Sequence, residues 1–289
     1  MVCTTARPPK LITRKRGLLF PRQDSNPHAA HLETHGWTLV QQAFSNQEVS
    51  TIKAEVLRVF EEYPADQRGP DPQAWPMFRY EMLNRSAACQ QAVAHRAILD
   101  VIEPLLGDDC HIIANTAWQN PPGSDGLHAG GRWHIDAGPH IPLEEGVEWP
   151  ENIPHPVFAI GVHLYLEPCG LADGPTGVLP GSHLSGRPPP PEKALDDTLT
   201  YNGQRVQPLI AQAGDIGLFV SDVWHRRMPT QAGDKGRLFL QLHYGRRDIA
   251  QRLKPTSEVN HLSSAALSLA QEDREKTVIG LHPRFFYDG

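Results

Sequence analysis

Hydrophobic residues recur at helical spacing in the first third of the chain. Ser45 and Glu48 have the spacing of a capping box, and apolar residues follow every three or four positions as far as Tyr63. The same spacing predicts a second helix over residues 86–106, which Gly107 can end. A short strand is predicted over residues 36–41, before the first of these helices.

From residue 110 onward the hydrophobic period changes from helical to alternating, which is typical of strands with one buried face. Strands are predicted over residues 110–119, 157–166, 205–211, 215–220 and 237–244. Clusters of proline and glycine separate these strands, and a last surface helix is predicted over residues 257–276. The pattern therefore favours a mainly β domain with flanking helices.

The last predicted strand has two unlike faces. One face holds three leucines, and the other holds Arg237, Phe239, Gln241 and His243. Burying such polar groups without partners is costly, so this face must meet water or a polar cavity. On the strand over residues 157–166, His163 and Tyr165 share the face opposite the apolar one. Two interpretations of that pair stay open: they line a pocket, or they belong to a hydrogen-bonded polar core.

The composition supports one sizeable globular domain. Of the 289 residues, 39% are hydrophobic and 21% are charged, and the 27 prolines and 24 glycines suit a strand-and-turn architecture. We expect a flexible tail over residues 1–30 and a single domain over residues 31–289. The tail is basic, as a mitochondrial transit peptide would be, but its scattered prolines oppose the amphipathic helix that such a peptide needs.

Charge and cysteine usage argue against several classes of protein. The formal net charge is −6 and the basic residues form no long stripe, so nucleic acid is not an expected partner. Four cysteines without a CxxC spacing indicate neither a disulfide framework nor a zinc knuckle, and they favour a reducing cytoplasm. No apolar run approaches the roughly 20 residues that span a bilayer, so no membrane association is expected. The expected partner is a small-molecule substrate.

The most specific candidate chemistry lies at His134 and Asp136. Side chains two residues apart on a strand point to the same face, so this imidazole and carboxylate can close on one metal ion. A third ligand has to come from elsewhere, and the best candidate is His225, which follows a predicted strand. Two histidines and one carboxylate form the facial triad of non-haem Fe(II) oxygenases, which leaves three coordination positions open.

The order of the motifs resembles the phytanoyl-CoA dioxygenase (PhyH) family of Fe(II)- and 2-oxoglutarate-dependent oxygenases. The His134-x-Asp136 pair comes first, and the run Gly174-Pro-Thr-Gly-Val-Leu-Pro-Gly-Ser-His183 follows it. A Gly-Asp-x-x-x-Phe run then leads to His225, and Arg237 comes last. A His-x-Asp tripeptide alone arises often by chance, whereas the ordered set is specific. The resemblance spans about residues 36–245.

The resemblance implies a double-stranded β-helix, the jelly-roll barrel of cupins, with helices bracing its outer side. It also implies that His134, Asp136 and His225 hold Fe(II), with 2-oxoglutarate as the cosubstrate and O2 as the oxidant. In the family an arginine binds the distal carboxylate of 2-oxoglutarate, and by position that arginine is Arg237. A guanidinium suits this role because its planar fork can donate two parallel hydrogen bonds.

At one position the chain departs from the family. Many members carry a small hydroxylated residue two positions after the distal histidine, where it helps to hold the cosubstrate; here that position is Arg227. Three interpretations stay open: Arg227 holds the cosubstrate, contacts the substrate, or faces solvent. As substitute anchors we predict Asn115 and Gln119, on the assumption that their face of the strand lines the cavity.

The predicted function is hydroxylation of an unactivated C–H bond of a small metabolite or natural-product intermediate, with release of succinate and CO2. Asp136 favours hydroxylation over halogenation, because related halogenases have a small residue at the carboxylate position. Two other classes would use the same residues differently. A cupin-type isomerase or hydrolase without 2-oxoglutarate would leave Arg237 with no carboxylate to bind. A catalytically silent binding module would not need an intact triad.

Overall fold

The computed structural model describes residues 26–65, 76–123, 129–136, 138–250 and 262–282. Its helices are α1 (Pro27–His35), α2 (Asn46–Glu62), α3 (Met82–Arg85), α4 (Ala87–Val93), α5 (Arg96–Leu106), α6 (Ser264–Leu269) and α7 (Asp273–Val278). Its strands are β1 (Trp37–Val40), β2 (Phe78–Tyr80), β3 (His111–Asn120), β4 (Ala159–Tyr165), β5 (Thr176–Val178), β6 (Gln207–Pro208), β7 (Ile216–Val220), β8 (His225–Arg227) and β9 (Arg237–Gly245). None of the helices in the described part of the chain is long and apolar enough to cross a membrane.

The helices differ from the sequence expectation at three places. Helix α1 begins inside the segment predicted as a tail, of which residues 1–25 lie outside the described residues. The second predicted helix is divided into α4 and α5, because the His95 side chain accepts a hydrogen bond from Ala97 N–H and starts a new helix. The last predicted helix is divided into α6 and α7, and residues 257–261 of it are not among those described.

Two antiparallel sheets form the body of the molecule. The larger has six strands in the order β1-β7-β4-β9-β3-β2, and the smaller has three in the order β6-β5-β8. The sheets face each other, since Thr176 Oγ1 on β5 lies 3.4 Å from His163 Nδ1 on β4. Val178 of the smaller sheet also packs against Phe219 of the larger one. The mainly β architecture with flanking helices is the one that the hydrophobic pattern predicted.

The outer face of the larger sheet packs against the helices. Val162, Leu218 and Leu240 from three neighbouring strands share one buried cluster with Val56 of α2 and Ile102 of α5. Each fully buried aliphatic side chain contributes roughly 1.5–3 kcal/mol, so this layer holds sheet and helices together. The inner face of the same sheet is left to the polar and aromatic residues that alternate with the leucines.

The register between β3 and β9 determines which face of β3 turns inward. Directly opposed residues of antiparallel strands project to the same side. Asn115 is opposed to Leu242 and Gln119 to Leu238, which belong to the leucine face. The prediction that Asn115 and Gln119 line the cavity therefore does not hold. Alternation along a strand defines two faces, and only the pairing of distant segments decides which of them is inside.

Asn115 has a structural role instead. It is almost fully buried, and in the hydrogen-bonding orientation of its amide, Oδ1 accepts from the backbone N–H groups of Met82 at 3.1 Å and Leu83 at 3.0 Å. These groups belong to the first turn of α3, where backbone donors have no partner within the helix. Gln119 is exposed at the surface.

Replacing Asn115 with alanine should lower the free energy of unfolding by about 1–3 kcal/mol, because two buried N–H groups lose their acceptor. The matched variant Gln119→Ala should stay within about 0.5 kcal/mol of the parent protein, since an exposed side chain loses no buried partner. Urea denaturation followed by circular dichroism measures both. An Asn115→Ala protein as stable as the Gln119→Ala protein would contradict the assignment.

Candidate metal centre

Three side chains distant in sequence converge at the edge of the smaller sheet. One ligand atom each from His134, Asp136 and His225 lies within 4.8 Å of the other two. Oδ1 of Asp136 is 3.4 Å from His225 Nε2 and 3.8 Å from His134 Nε2, so both rings point their Nε2 atoms at the same oxygen. The structure thus brings together the three residues that the sequence predicted as ligands.

Backbone pairing holds this arrangement. His134 and His225 form an antiparallel bridge in which each N–H donates to the carbonyl of the other at 3.0 Å. The N–H of Asp136 donates to Ser221 O at 3.0 Å, which continues the pairing. On the other side, Trp133 donates from its backbone N–H to Ala194 O at 2.8 Å. The segment that carries two ligands therefore lies as an extra short strand beside β8.

The hydrogen bonds of the two imidazoles fix their tautomers. His134 Nδ1 lies 2.8 Å from the carbonyl oxygen of Arg132, and His225 Nδ1 lies 2.9 Å from that of Val223. A carbonyl only accepts, so Nδ1 carries the proton in both rings and the lone pair of each neutral ring lies on Nε2. Hydrogen bonds of this kind, from the nitrogen that does not bind the metal, usually orient metal-binding histidines. The donor set therefore fits a divalent transition metal.

The charges in the site shift one another's pKa. Burial raises the pKa of Asp136, but the rings of His225 and His243 lower it by more, so that it lies well below its usual range. Burial lowers the pKa of His225, and the Asp136 carboxylate raises it by more. Desolvation and the neighbouring His225 ring lower the pKa of His134. The carboxylate is thus ionised at neutral pH, the form that binds a cation.

A fourth histidine adjoins the triad and was not singled out from the sequence. Oδ2 of Asp136 is buried and has no hydrogen-bond partner among the described residues, and His243 Nδ1 is 3.9 Å away from it. The other nitrogen of this ring, Nε2, is hydrogen-bonded to Ser221 Oγ at 2.5 Å. Ser221 thus supports the site through both its backbone and its side chain. The alternation of β9 placed His243 on the polar face, but its closeness to Asp136 follows only from the fold.

Arg237 lies at the far end of the inner face of β9. Its Nε and Nη2 atoms donate to Asn120 Oδ1 at 3.1 and 2.8 Å, and its guanidinium lies 5.3 Å from the centre of the Phe239 ring. Burial, and next the positive charge of Arg227, lower the pKa of Arg237 to about 10. Its hydrogen-bond partner Asn120 is opposed to Arg237 on β3, so its side-chain amide faces the interior. The neighbouring Gln119, which was predicted to line the cavity, faces the other way.

Comparison with known proteins identifies the family. The model of the phytanoyl-CoA dioxygenase (PhyH) family matches residues 32–231, more than half of the chain. The chain belongs to the PhyH family. The matched range includes all three residues of the triad and ends before Arg237. No curated protein matches this PhyH sequence.

Solved structures with the same architecture include two enzymes of nogalamycin biosynthesis. The non-haem α-ketoglutarate-dependent epimerase SnoN, solved with Fe3+, α-ketoglutarate and nogalamycin RO, has a TM-score of 0.60 and 17% identity over 86% of this chain and 89% of that one. The non-haem α-ketoglutarate-dependent carbocyclase SnoK has a TM-score of 0.57 and 16% identity, covering 78% of this chain and 85% of that one.

HygX from Streptomyces hygroscopicus, solved with nickel and 2-oxoglutarate, is similar to the same degree. Its TM-score is 0.57 at 14% identity, covering 78% of this chain and 89% of that one. At these identities the likeness shows the fold alone. The facing antiparallel sheets of this PhyH protein are therefore those of a jelly-roll barrel, as the sequence resemblance implied.

Replacing His243 with phenylalanine should weaken the binding of a divalent metal by about 10-fold or more, because groups that orient a metal ligand, as His243 does beside Asp136, are typically worth about 10–100-fold in affinity. A competition titration of Mn(II) against a chromogenic chelator measures the change. The matched control is His111→Phe, which removes a buried histidine bonded instead to His282 and Ile249. An equal loss in the two variants would mean that His243 acts only through folding stability.

Proposed function

We propose that this protein is an Fe(II)- and 2-oxoglutarate-dependent dioxygenase that hydroxylates an unactivated C–H bond of a small molecule. The observation that carries the proposal is a metal triad that shares the inner surface of one barrel with a buried arginine. No carboxylate among the described residues forms an ion pair with Arg237. Its charge is therefore available for an external anion, as burial of an unpaired guanidinium demands.

The triad would hold the iron. Their two nitrogens and one oxygen would supply three ligands and would leave further coordination positions for cosubstrate and dioxygen. The side chain of His134 is 51% exposed, whereas that of His225 is 6% exposed, so the site opens on the His134 side. A substrate that approaches from solvent would reach the metal there.

With the metal and 2-oxoglutarate bound, dioxygen supplies one oxygen atom to the succinate formed with CO2 and the other to the substrate C–H bond. The residues of the chain position the components of this reaction. His134, Asp136 and His225 would hold the metal, and Arg237 would bind the distal carboxylate of the cosubstrate through a charge-assisted hydrogen bond. Two aromatic side chains connect these groups: the Phe219 ring lies 4.6 Å from the His225 ring, and the Phe239 ring lies 5.3 Å from the Arg237 guanidinium.

The substrate would lie under two long loops, residues 138–156 and 184–202. The loops are joined by a hydrogen bond from Leu143 N–H to Gly186 O at 3.2 Å and by an ion pair of 3.8 Å between Arg187 and Glu148. Their sequence lacks the dense basic cluster that a CoA phosphate would require. The structural neighbours solved with nogalamycin RO and hygromycin B support a natural product or its intermediate as the substrate class.

Three of the four cysteines lie in the described part of the chain. Cys89, Cys110 and Cys169 are all buried free thiols. Burial raises the pKa of each thiol, which keeps it protonated and unreactive at neutral pH. These features support a cytoplasmic location.

The decisive test is substrate-stimulated succinate release. Purified protein with Fe(II), 2-oxoglutarate and O2 is screened against a panel of natural-product intermediates, and products are analysed by mass spectrometry. Hydroxylation predicts a mass gain of one oxygen with one succinate per product. Succinate release with no gain of oxygen would point to an epimerase or ring-forming reaction instead. Absence of both 2-oxoglutarate binding and succinate release would refute the proposal.

Replacing Arg237 with methionine should raise the concentration of 2-oxoglutarate needed for half-maximal succinate formation by at least about 10-fold, since a charge-assisted bond is worth roughly 1.5–3 kcal/mol. The requirement for Fe(II) should change little. Arg246→Met is the matched control, because Arg246 follows the other end of β9 and pairs with Asp248. Equal increases in the requirements for cosubstrate and metal would contradict the role of Arg237.

A further inference from the structure

The inner face of β8 carries a second arginine. Arg227 lies two residues after His225 on this strand, so its side chain projects to the same inward side. Its opposed residue on β5 is Thr176, whose hydroxyl lies 3.4 Å from His163 in the space between the sheets. Of the three interpretations that the sequence left open, the fold thus disfavours the one in which Arg227 simply faces solvent.

Arg227 and Arg237 act on the same region of the interior. After burial, the charge of Arg227 is the largest influence that lowers the pKa of Arg237. Burial raises the pKa of the Cys169 thiol to about 11, and both guanidinium groups oppose that rise. Contacts place them around the same side chains: the His163 ring, which adjoins Thr176 opposite Arg227, lies 4.5 Å from the Phe239 ring. The Arg237 guanidinium lies 5.3 Å from that same Phe239 ring, so the two cations lie at one end of the barrel.

This end of the barrel has a buried hydrogen-bond donor without an acceptor. Among the described residues, Nε of Arg227 has no hydrogen-bond partner. The acid that acts on both arginines is Asp234, which accepts from the N–H groups of Gly236 at 2.7 Å and Gly123 at 3.2 Å and forms no ion pair with either arginine among the described residues. A buried donor without an acceptor, beside two cations that no described carboxylate directly pairs, forms a site suited to an anion.

We propose that Arg227 and Arg237 together bind the distal carboxylate of the cosubstrate, an inference that rests on the proposed function. Asn120 occupies the Nε–Nη2 edge of Arg237, which leaves the Nη1 side of that guanidinium for one carboxylate oxygen. Arg227 supplies donors for the other oxygen. The chain thus has a second guanidinium where the family commonly has a small hydroxyl group.

A site with two guanidinium groups is selective for charge at the tail of its ligand. A 2-oxo diacid presents a carboxylate to both arginines, whereas a 2-oxo acid of the same length with a methyl end leaves the buried Arg237 and the partly buried Arg227 without a counter-ion. The loss of Arg227 should therefore weaken the binding of the diacid and leave the binding of the monoacid nearly unchanged.

Isothermal titration calorimetry on the Fe(II)-loaded protein under anaerobic conditions tests this inference without turnover. The probes are 2-oxoglutarate and 2-oxovalerate, which differ only in the distal carboxylate. For Arg227→Met, 2-oxoglutarate should bind about 10- to 100-fold more weakly, as expected for one charge-assisted contact, and 2-oxovalerate within about twofold of the parent value. Arg227→Lys keeps the positive charge but lacks the planar guanidinium fork. Its affinity for 2-oxoglutarate should therefore lie between those of the parent protein and Arg227→Met.

The exposed residue Arg96 provides the control, because Arg96→Met removes one positive charge far from the barrel interior. Equal weakening of both acids in Arg227→Met, or no weakening of 2-oxoglutarate, would overturn the inference while leaving the proposed function intact. If Arg227→Met does not fold, Arg227→Lys decides by the same comparison of the two acids. A parent protein that binds no 2-oxoglutarate would instead overturn the proposed function and this inference with it.

Discussion

The metal centre depends on a few backbone hydrogen bonds between two short segments. His134 and His225 exchange both of their backbone hydrogen bonds, and opposed residues in such a pair project to the same side of the sheet. Their rings are therefore delivered to one place by the pairing itself, with centroids 4.3 Å apart. Asp136 lies two residues after His134, so its side chain projects to the same side of the strand. Backbone pairing therefore brings the three ligands together, and no metal ion is needed to create this geometry.

The two faces of the larger sheet have different roles: one packs against the helices and stabilises the fold, and the other carries side chains of the site. Along β9 alone, Leu240 joins the cluster that packs on the helices, whereas His243 and Arg237 project into the barrel. The apolar face supplies the free energy that holds the strands in register. That register in turn fixes polar side chains that would be costly to bury in a loosely packed interior. A change on the leucine face thus reaches the site through the pairing of the strands.

The sequence was sufficient for features that depend on local spacing or on motif order. The capping box at Ser45, the triad and the polar face of β9 are of this kind. It was insufficient where the answer depends on which distant strands are paired. The inward face of β3, the bond between Asn120 and Arg237, and the approach of His243 to Asp136 all follow from the β3–β9 and β4–β9 registers. Those registers are set by tertiary packing, which a single sequence does not display.

The charge distribution inside the barrel explains why an extra arginine is compatible with the fold. Burial, and then the charge of Arg237, lower the pKa of His163 to about 3, so this ring is neutral at physiological pH. The interior therefore has an ionised carboxylate at the metal end, two guanidinium groups at the opposite end, and an uncharged imidazole nearby. A protonated His163 would add a third buried cation to a region with too few anions. Because that ring stays neutral, an anionic ligand group at this end of the barrel meets two cations and not three.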